Sequence, residues 1–190
     1  MATPLGHALA GYAVYNFTKA AQGRDDLSLM LLCVFMATAP DLDFLPGLLV
    51  GRPALFHQSI THSLGAAMLV SLGAAGVWGL RSRSFPAVFS YCLVAYLSHL
   101  ILDLLGPDQR PPYGIPLLWP SSEAHFISPV PILLGVRHAA TATASTQEWV
   151  LGLLDLHNLA AIAWETIVVL PFIRLGRWHR RVSLGQQGAR

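Results

Sequence analysis

FPAVFSYCLVAYLSHLILDLL, residues 85–105, is a predominantly apolar stretch of 21 residues. At about 1.5 Å per residue it forms a helix of roughly 30 Å, which matches the hydrocarbon core of a bilayer. His99 and Asp103 lie four apart towards its end, so their side chains share one helix face about one turn apart. In a soluble setting that spacing describes a hydrogen-bonded interior imidazole and a helix-end carboxylate. In a membrane helix a central Asp costs about 2.5–3.5 kcal/mol on the insertion scale, and a cation shared with His99 becomes the more economical explanation.

The rest of the chain supports a lipid environment. Of 190 residues, 54% are hydrophobic and only 12% charged, with a mean hydropathy of +0.52; soluble domains carry about 25% charged residues. Five hydrophobic stretches are expected to be helical: 5–17, 27–39, 63–80, 85–105 and 159–175. The fold class read from them is all-α, a polytopic membrane bundle of about five hydrophobic helices with a Pro/Gly/aromatic-rich loop over one end. With no repeat or low-complexity linker, residues 1–190 form one domain, with a lid region at 106–158 and a basic cytoplasmic tail at 176–190. Pro40 is expected to end the second helix, Pro46-Gly47 to keep the next stretch irregular, and Ser59 or Thr61 to cap the third helix. A short amphipathic helix is expected near 149–156.

The net charge of +2 is too small to imply a nucleic-acid partner. Lys19 and Arg24, Arg81 and Arg83, and Arg174, Arg177, Arg180 and Arg181 fall on one side of an alternating five-helix bundle, which marks that side and the C-terminus as cytoplasmic. Cys33 and Cys92 sit inside apolar runs and read as small core residues. The N-terminus lacks the basic region of a cleavable signal and is expected to be retained.

The costly polar residues gather at the opposite helix ends. Ala-Pro-Asp41-Leu-Asp43 offers two carboxylates on a rigid turn, a geometry suited to a cation and also to a solvated surface turn. His57 and His62 are five apart, about 140° on a continuous helix, so both face one ion only if a helix begins between them. His7 opens the first stretch, and Glu165 lies inside the fifth, where it needs a proton, a cation or a histidine. His125 in the loop is a further candidate. His138, His157 and His179 have charged or polar surroundings that explain them.

His7, Pro40-Asp41-Leu42-Asp43, His57-Gln58-Ser59-Ile60-Thr61-His62-Ser63, Ser98-His99-Leu100-Ile101-Leu102-Asp103 and Gly114-Ile115-Pro116-Leu117-Leu118-Trp119-Pro120 together resemble the YdjM-like family of inner-membrane metal-dependent hydrolases. That family is distantly similar to zinc-dependent phospholipases C and single-strand nucleases, all-helical proteins that also use a helix-borne HxxxD. The resemblance implies a metal shell drawn from Asp41, Asp43, His57, His62, His99 and Asp103, without deciding which member of each pair ligates, with His7, Glu165 and His125 as lesser candidates. No HxxxE follows residue 103, which implies one or two divalent ions, Zn²⁺ ahead of Mn²⁺.

The function expected is hydrolysis of a phosphoester or related ester by metal-activated water, on a small-molecule or lipid-like substrate at the outer face of the inner membrane. Asp43 or His57 would be the catalytic base or orienting group, and Tyr113, Trp119 and Phe126 would wall the mouth. A metal carrier or a non-catalytic membrane interaction protein are the alternatives. A carrier requires polar residues along the membrane, and the stretches 66–80 and 85–96 contain only Ser71, Ser90, Tyr91 and Tyr96.

Overall fold

The computed structural model of the chain describes residues 1–18, 26–79, 84–108, 110–139 and 141–187, the last five by their backbone alone. Seven α-helices occur among them: α1 (Pro4–Phe17), α2 (Leu27–Thr38), α3 (Phe44–Leu49), α4 (Leu64–Gly79), α5 (Phe85–Leu105), α6 (Thr146–Leu153) and α7 (Leu156–Gln187). Among the described residues the only extended pairing is one isolated bridge between Ile115 and Phe126. Helices therefore follow all five apolar stretches. By length and composition three segments qualify to cross a membrane: Leu27–Leu49, Phe85–Leu105 and Leu156–Val182. α1 and α4, with 14 and 16 residues, rise only about 21 and 24 Å and fall short of a hydrocarbon core.

Local chemistry sets the helix boundaries. Thr3 caps α1, its hydroxyl accepting from the Gly6 N–H at 3.1 Å, and Pro4 takes the first helical position, where its missing N–H costs nothing. Asp26 caps α2 through the Leu29 N–H at 2.9 Å. After Thr38 the chain tightens into a 3₁₀ turn, Ala39–Asp43, with Pro40 near its start. α3 then forms where Pro46-Gly47 predicts an irregular stretch; Pro46 falls in the first turn, where its lack of an N–H is tolerated. Ser63, not Ser59 or Thr61, accepts from the Ala66 N–H at 3.1 Å and starts α4, just after a 3₁₀ turn over Ile60–His62. Residues 176–187 continue α7 and do not form a separate tail. Lys19, Arg24, Arg81 and Arg83 lie outside the described residues.

α1 packs on α2, α5 and α7, and α5 packs on α2 and α4. The main core joins Leu29, Cys33 and Met36 of α2, Ala67 and Ala75 of α4, and Val88, Cys92 and Tyr96 of α5. Small residues permit close approach, as expected where lipid supplies no hydrophobic drive between helices. Outward faces carry exposed apolar side chains such as Leu69, Val77, Val94 and Ile167.

The proline-rich loop closes one end of the bundle by pairing helix termini. Ser128 donates its N–H to the Leu104 carbonyl at 2.9 Å, and Ile132 and Leu133 donate to Leu105. The first N–H groups of α4, on Leu64 and Gly65, donate to Leu117 and Trp119 of the loop at 2.9 and 3.2 Å. Terminal groups that would be orphaned in a nonpolar medium thus find partners.

Gly11 marks a close approach of two helix backbones: a Cβ there would lie 2.6 Å from the Cys33 carbonyl oxygen and 2.8 Å from the Ala37 Cβ. Gly73 on α4 faces open space. Gly11→Ala is expected to destabilise the bundle by about 1–3 kcal/mol and lower its unfolding temperature in detergent, whereas Gly73→Ala is neutral or slightly stabilising.

Candidate metal centre

Four donors meet at the covered end of the bundle. α5 supplies His99 and Asp103 from one face, the 3₁₀ turn after α2 supplies Asp41, and the turn before α4 supplies His62. His62 Nε2 lies 3.1 Å from His99 Nε2, 3.4 Å from Asp103 Oδ2 and 3.6 Å from Asp41 Oδ1. His99 Nε2 lies 3.2 Å from Asp103 Oδ2 and 3.6 Å from Asp41 Oδ1. Zinc bonds of 2.0–2.2 Å to nitrogen and oxygen give a tetrahedron with edges of about 3.3–3.5 Å. The five separations bracket that value.

The hydrogen bonds around these donors settle which atoms point inward. The Nδ1 of His99 lies 2.8 Å from the Ala37 carbonyl, which can only accept, so Nδ1 carries the proton and Nε2 keeps its lone pair. His62 Nδ1 faces Asp43 Oδ2 at 3.3 Å and the Thr61 hydroxyl at 3.1 Å; the Thr61 hydrogen goes to Asp43 at 2.8 Å, so Nδ1–H of His62 is again directed outward. The Nε2 atoms of both imidazoles and two carboxylate oxygens therefore face one another in a space where the side chains of His62, His99 and Asp103 are fully buried. Among the described residues Asp103 Oδ2 has only His62 Nε2 and His99 Nε2 beside it, neither in regular hydrogen-bond geometry. Such a set repels itself unless a cation or a proton sits among the donors. Its composition, two nitrogens and two oxygens with oriented imidazoles, fits a divalent metal.

Asp43 and His57 form the neighbouring layer. Asp43 Oδ1 accepts from His57 Nδ1 at 2.7 Å while Oδ2 takes the Thr61 hydroxyl, so one carboxylate orients both imidazoles. The Thr61 carbonyl is held by the Tyr96 hydroxyl at 2.7 Å. His57 stacks on Phe44 with ring centroids 3.7 Å apart, and its Nε2 touches the Met1 sulfur. Arg110 fixes the local backbone by donating to the Ala54 and His57 carbonyls at 2.5 and 2.6 Å. Burial holds His57 below the ordinary histidine value despite its bond to Asp43. Burial also opposes charge on His62, but Asp103, Asp41 and Asp43 outweigh it and raise that imidazole well above the usual value.

A family model described as YdjM inner membrane protein matches residues 1–179. The chain belongs to the YdjM inner membrane protein family. It matches no curated protein and no solved structure. The family assignment and the apolar helices agree on a membrane location.

The other sequence candidates of this YdjM-family chain have different surroundings. His7 is fully buried and stacks on His99 at 3.7 Å, with Nε2 3.3 Å from Asp103 Oδ1, the oxygen that also accepts the Ala2 N–H at 3.0 Å. It thus lies against the outer oxygen of Asp103, outside the four-donor set. Glu165 is turned to the start of α1, where it accepts the Thr3 N–H at 2.9 and 3.0 Å and the Thr3 hydroxyl. Its partner is a helix terminus and not a metal donor. His125 is exposed on the loop and bonds the Glu123 carbonyl.

Tyr113 and Phe126 are 57% and 37% exposed and line neither pocket beside the donors, because the Ile115–Phe126 bridge turns that segment over the start of α4. Trp119 is likewise engaged there, its carbonyl on Gly65. Phe44, His138 and Trp149 occupy the mouth instead, around a cavity of about 160 Å³ that reaches Asp41. The Ser145/Glu148 capping box was the sequence signal that the Trp149 segment is an ordered helix.

His62→Ala, His99→Ala and Asp103→Asn are each expected to lose stoichiometric zinc, measured by elemental analysis of detergent-purified protein, while His125→Ala and Glu165→Gln retain it. Because protons compete for His62, whose value is raised, zinc affinity should increase with pH and each ion bound should release protons. Titration calorimetry in buffers of different ionisation enthalpy reads both.

Proposed function

We propose that this YdjM-family protein is a membrane-bound hydrolase that holds one divalent cation, zinc by donor chemistry and Mn²⁺ as the substitute, on Asp41, His62, His99 and Asp103. One observation carries the reading: two imidazole Nε2 atoms and two carboxylate oxygens converge at tetrahedral spacing in a buried, low-dielectric position. When bound, such an ion supplies Lewis acidity, polarising a phosphoryl or ester oxygen and acidifying water. A single ion is favoured over two. Asp43, His57 and His62 also cluster, but the 2.7 Å separation of His57 from Asp43 is a hydrogen bond, and His62 has only one lone pair to give while its Nδ1 keeps a proton.

His57 is the proton acceptor in this scheme. Asp43 takes its Nδ1–H, so the lone pair sits on Nε2, which lies against the Met1 sulfur, and burial favours the neutral ring that can accept a proton. Asp43 positions both His57 and His62 and is not itself a ligand. The substrate class is a phosphoester or related ester.

The described basic residues of α7, Arg174, Arg177, Arg180 and Arg181, lie at the opposite end from the donors; Arg177 reaches Tyr12 near the far end of α1. This supports a cytoplasmic C-terminus and a site facing the cell exterior or periplasm. Between the two ends the bundle is filled by Leu29, Cys33, Ala67, Val88 and Ala95, so the polar site opens to one side, which suits an enzyme better than a carrier.

The test pairs metal content with turnover. About one zinc per chain, lost in the His99→Ala and Asp103→Ala proteins, together with chelator-sensitive hydrolysis in a phosphodiester and ester panel, is the expected result. His57→Ala should keep the metal and lower kcat by about 10²–10⁴. Zinc without turnover on any substrate would replace the enzyme with a carrier, and absence of stoichiometric metal would end both.

A further inference from the structure

The mouth of the donor cluster contains polar atoms with no side-chain partner among the described residues. Trp149 Nε1 is out of water with no hydrogen-bond partner among them, and His138, whose Nδ1 is equally enclosed, meets only the adjoining Ala139 backbone. Both residues line the cavity of about 160 Å³ that also touches Asp41, and Asp41 is the one donor of the four whose side chain is partly open, at 21% against 0% for the others. Phe44 ties this wall to the centre, with its ring 5.3 Å from Trp149, 6.0 Å from His138 and 3.7 Å from His57. Apart from Thr38 the remaining walls are apolar, including Pro4, Val136 and Leu153.

We propose that this cavity is the substrate subsite and that its occupant is the phosphoester head of a lipid reaching it from the bilayer, a proposal that rests on the hydrolase reading above. An indole N–H can only donate, so the occupant must present an acceptor oxygen beside Trp149, and the neutral imidazole of His138, lowered to about 4 by burial, can meet the same group as donor. A cavity of about 160 Å³ accommodates a phosphoester and its first carbons. Lipid is indicated by α6, which carries Trp149. Held as a helix by the Ser145/Glu148 capping box, it turns Trp149 inward, while Val150, Leu151 and, just beyond it, Leu154 and Leu156 are 45–79% exposed. An apolar face of that kind rests in the membrane interface. The wall of the subsite is then itself in contact with lipid, and the chain of the substrate can stay in the bilayer while its head enters.

The experiment uses the full protein in dodecyl maltoside, whose chain is present in every arm, and follows titrations by ³¹P NMR. Dodecylphosphocholine should saturate wild type and bind about tenfold more weakly to Trp149→Phe and to His138→Phe, which keep a ring but remove the polar atom. Phosphocholine, the same head without a chain, should bind at least about tenfold more weakly than dodecylphosphocholine. Equal affinity of wild type and both variants overturns the subsite, and equal affinity for the chainless head overturns the lipid source. The His99→Ala protein separates the two readings. If only the metal assignment is wrong, the Trp149-dependent binding persists in zinc-free protein; if the subsite is wrong, Trp149→Phe changes nothing with or without zinc.

Discussion

Four side chains of metal-ligating type crowded into one buried point are the constraint on which this structure depends. His62, His99, Asp41 and Asp103 are brought by three separate parts of the chain to a common point, with the two Nε2 atoms 3.1 Å apart. In water such a set would be solvated and harmless. Here three of the four side chains are out of solvent, and the attraction of a cation for the same donors is correspondingly large. The helices that carry them cannot rotate or slide without misplacing a donor, so helix register and site geometry are a single problem.

The surrounding layer gives each donor its direction. The Ala37 carbonyl, freed at the end of α2, takes the outer proton of His99, and the Asp43 carboxylate takes those of His57 and His62. Thr61 and Tyr96 steady the turn from which His62 projects. Helix termini are especially useful for this purpose because they leave unpaired backbone groups that a membrane will not solvate. The loop over the bundle answers the same requirement at α4 and α5, and Glu165 answers it at the start of α1, so the parts that roof the site are also parts the helices need.

The contrast between the two ends of the bundle frames the functional reading. One end gathers histidines and carboxylates under a loop and a small aromatic cavity, the other gathers arginines of α7, and apolar packing lies between. The apolar packing separates the donors from the arginine end. In the proposed reading α6, with leucines outward and a tryptophan inward, makes the membrane interface part of the approach to the donors.

Much of this was legible in the chain itself. Residue spacing alone put His99 and Asp103 on one helix face, hydropathy made the protein a membrane bundle, and the positions of Asp41, Asp43, His57 and His62 beside apolar runs foretold that they would meet at one end. The division of labour within each pair was not legible: Asp41 points to the centre and Asp43 away from it because the chain between α2 and α3 winds as a 3₁₀ turn, a detail of two residues' direction. Nor could sequence show that Glu165 serves Thr3, 162 positions away, or that His138 and Trp149 close the mouth in place of Tyr113 and Phe126. Periodicity and composition are local quantities and decide which segments are helical and apolar. Which atom faces which across the bundle depends on helix packing and on the pairing of buried polar groups, and those are settled only when the whole chain is folded.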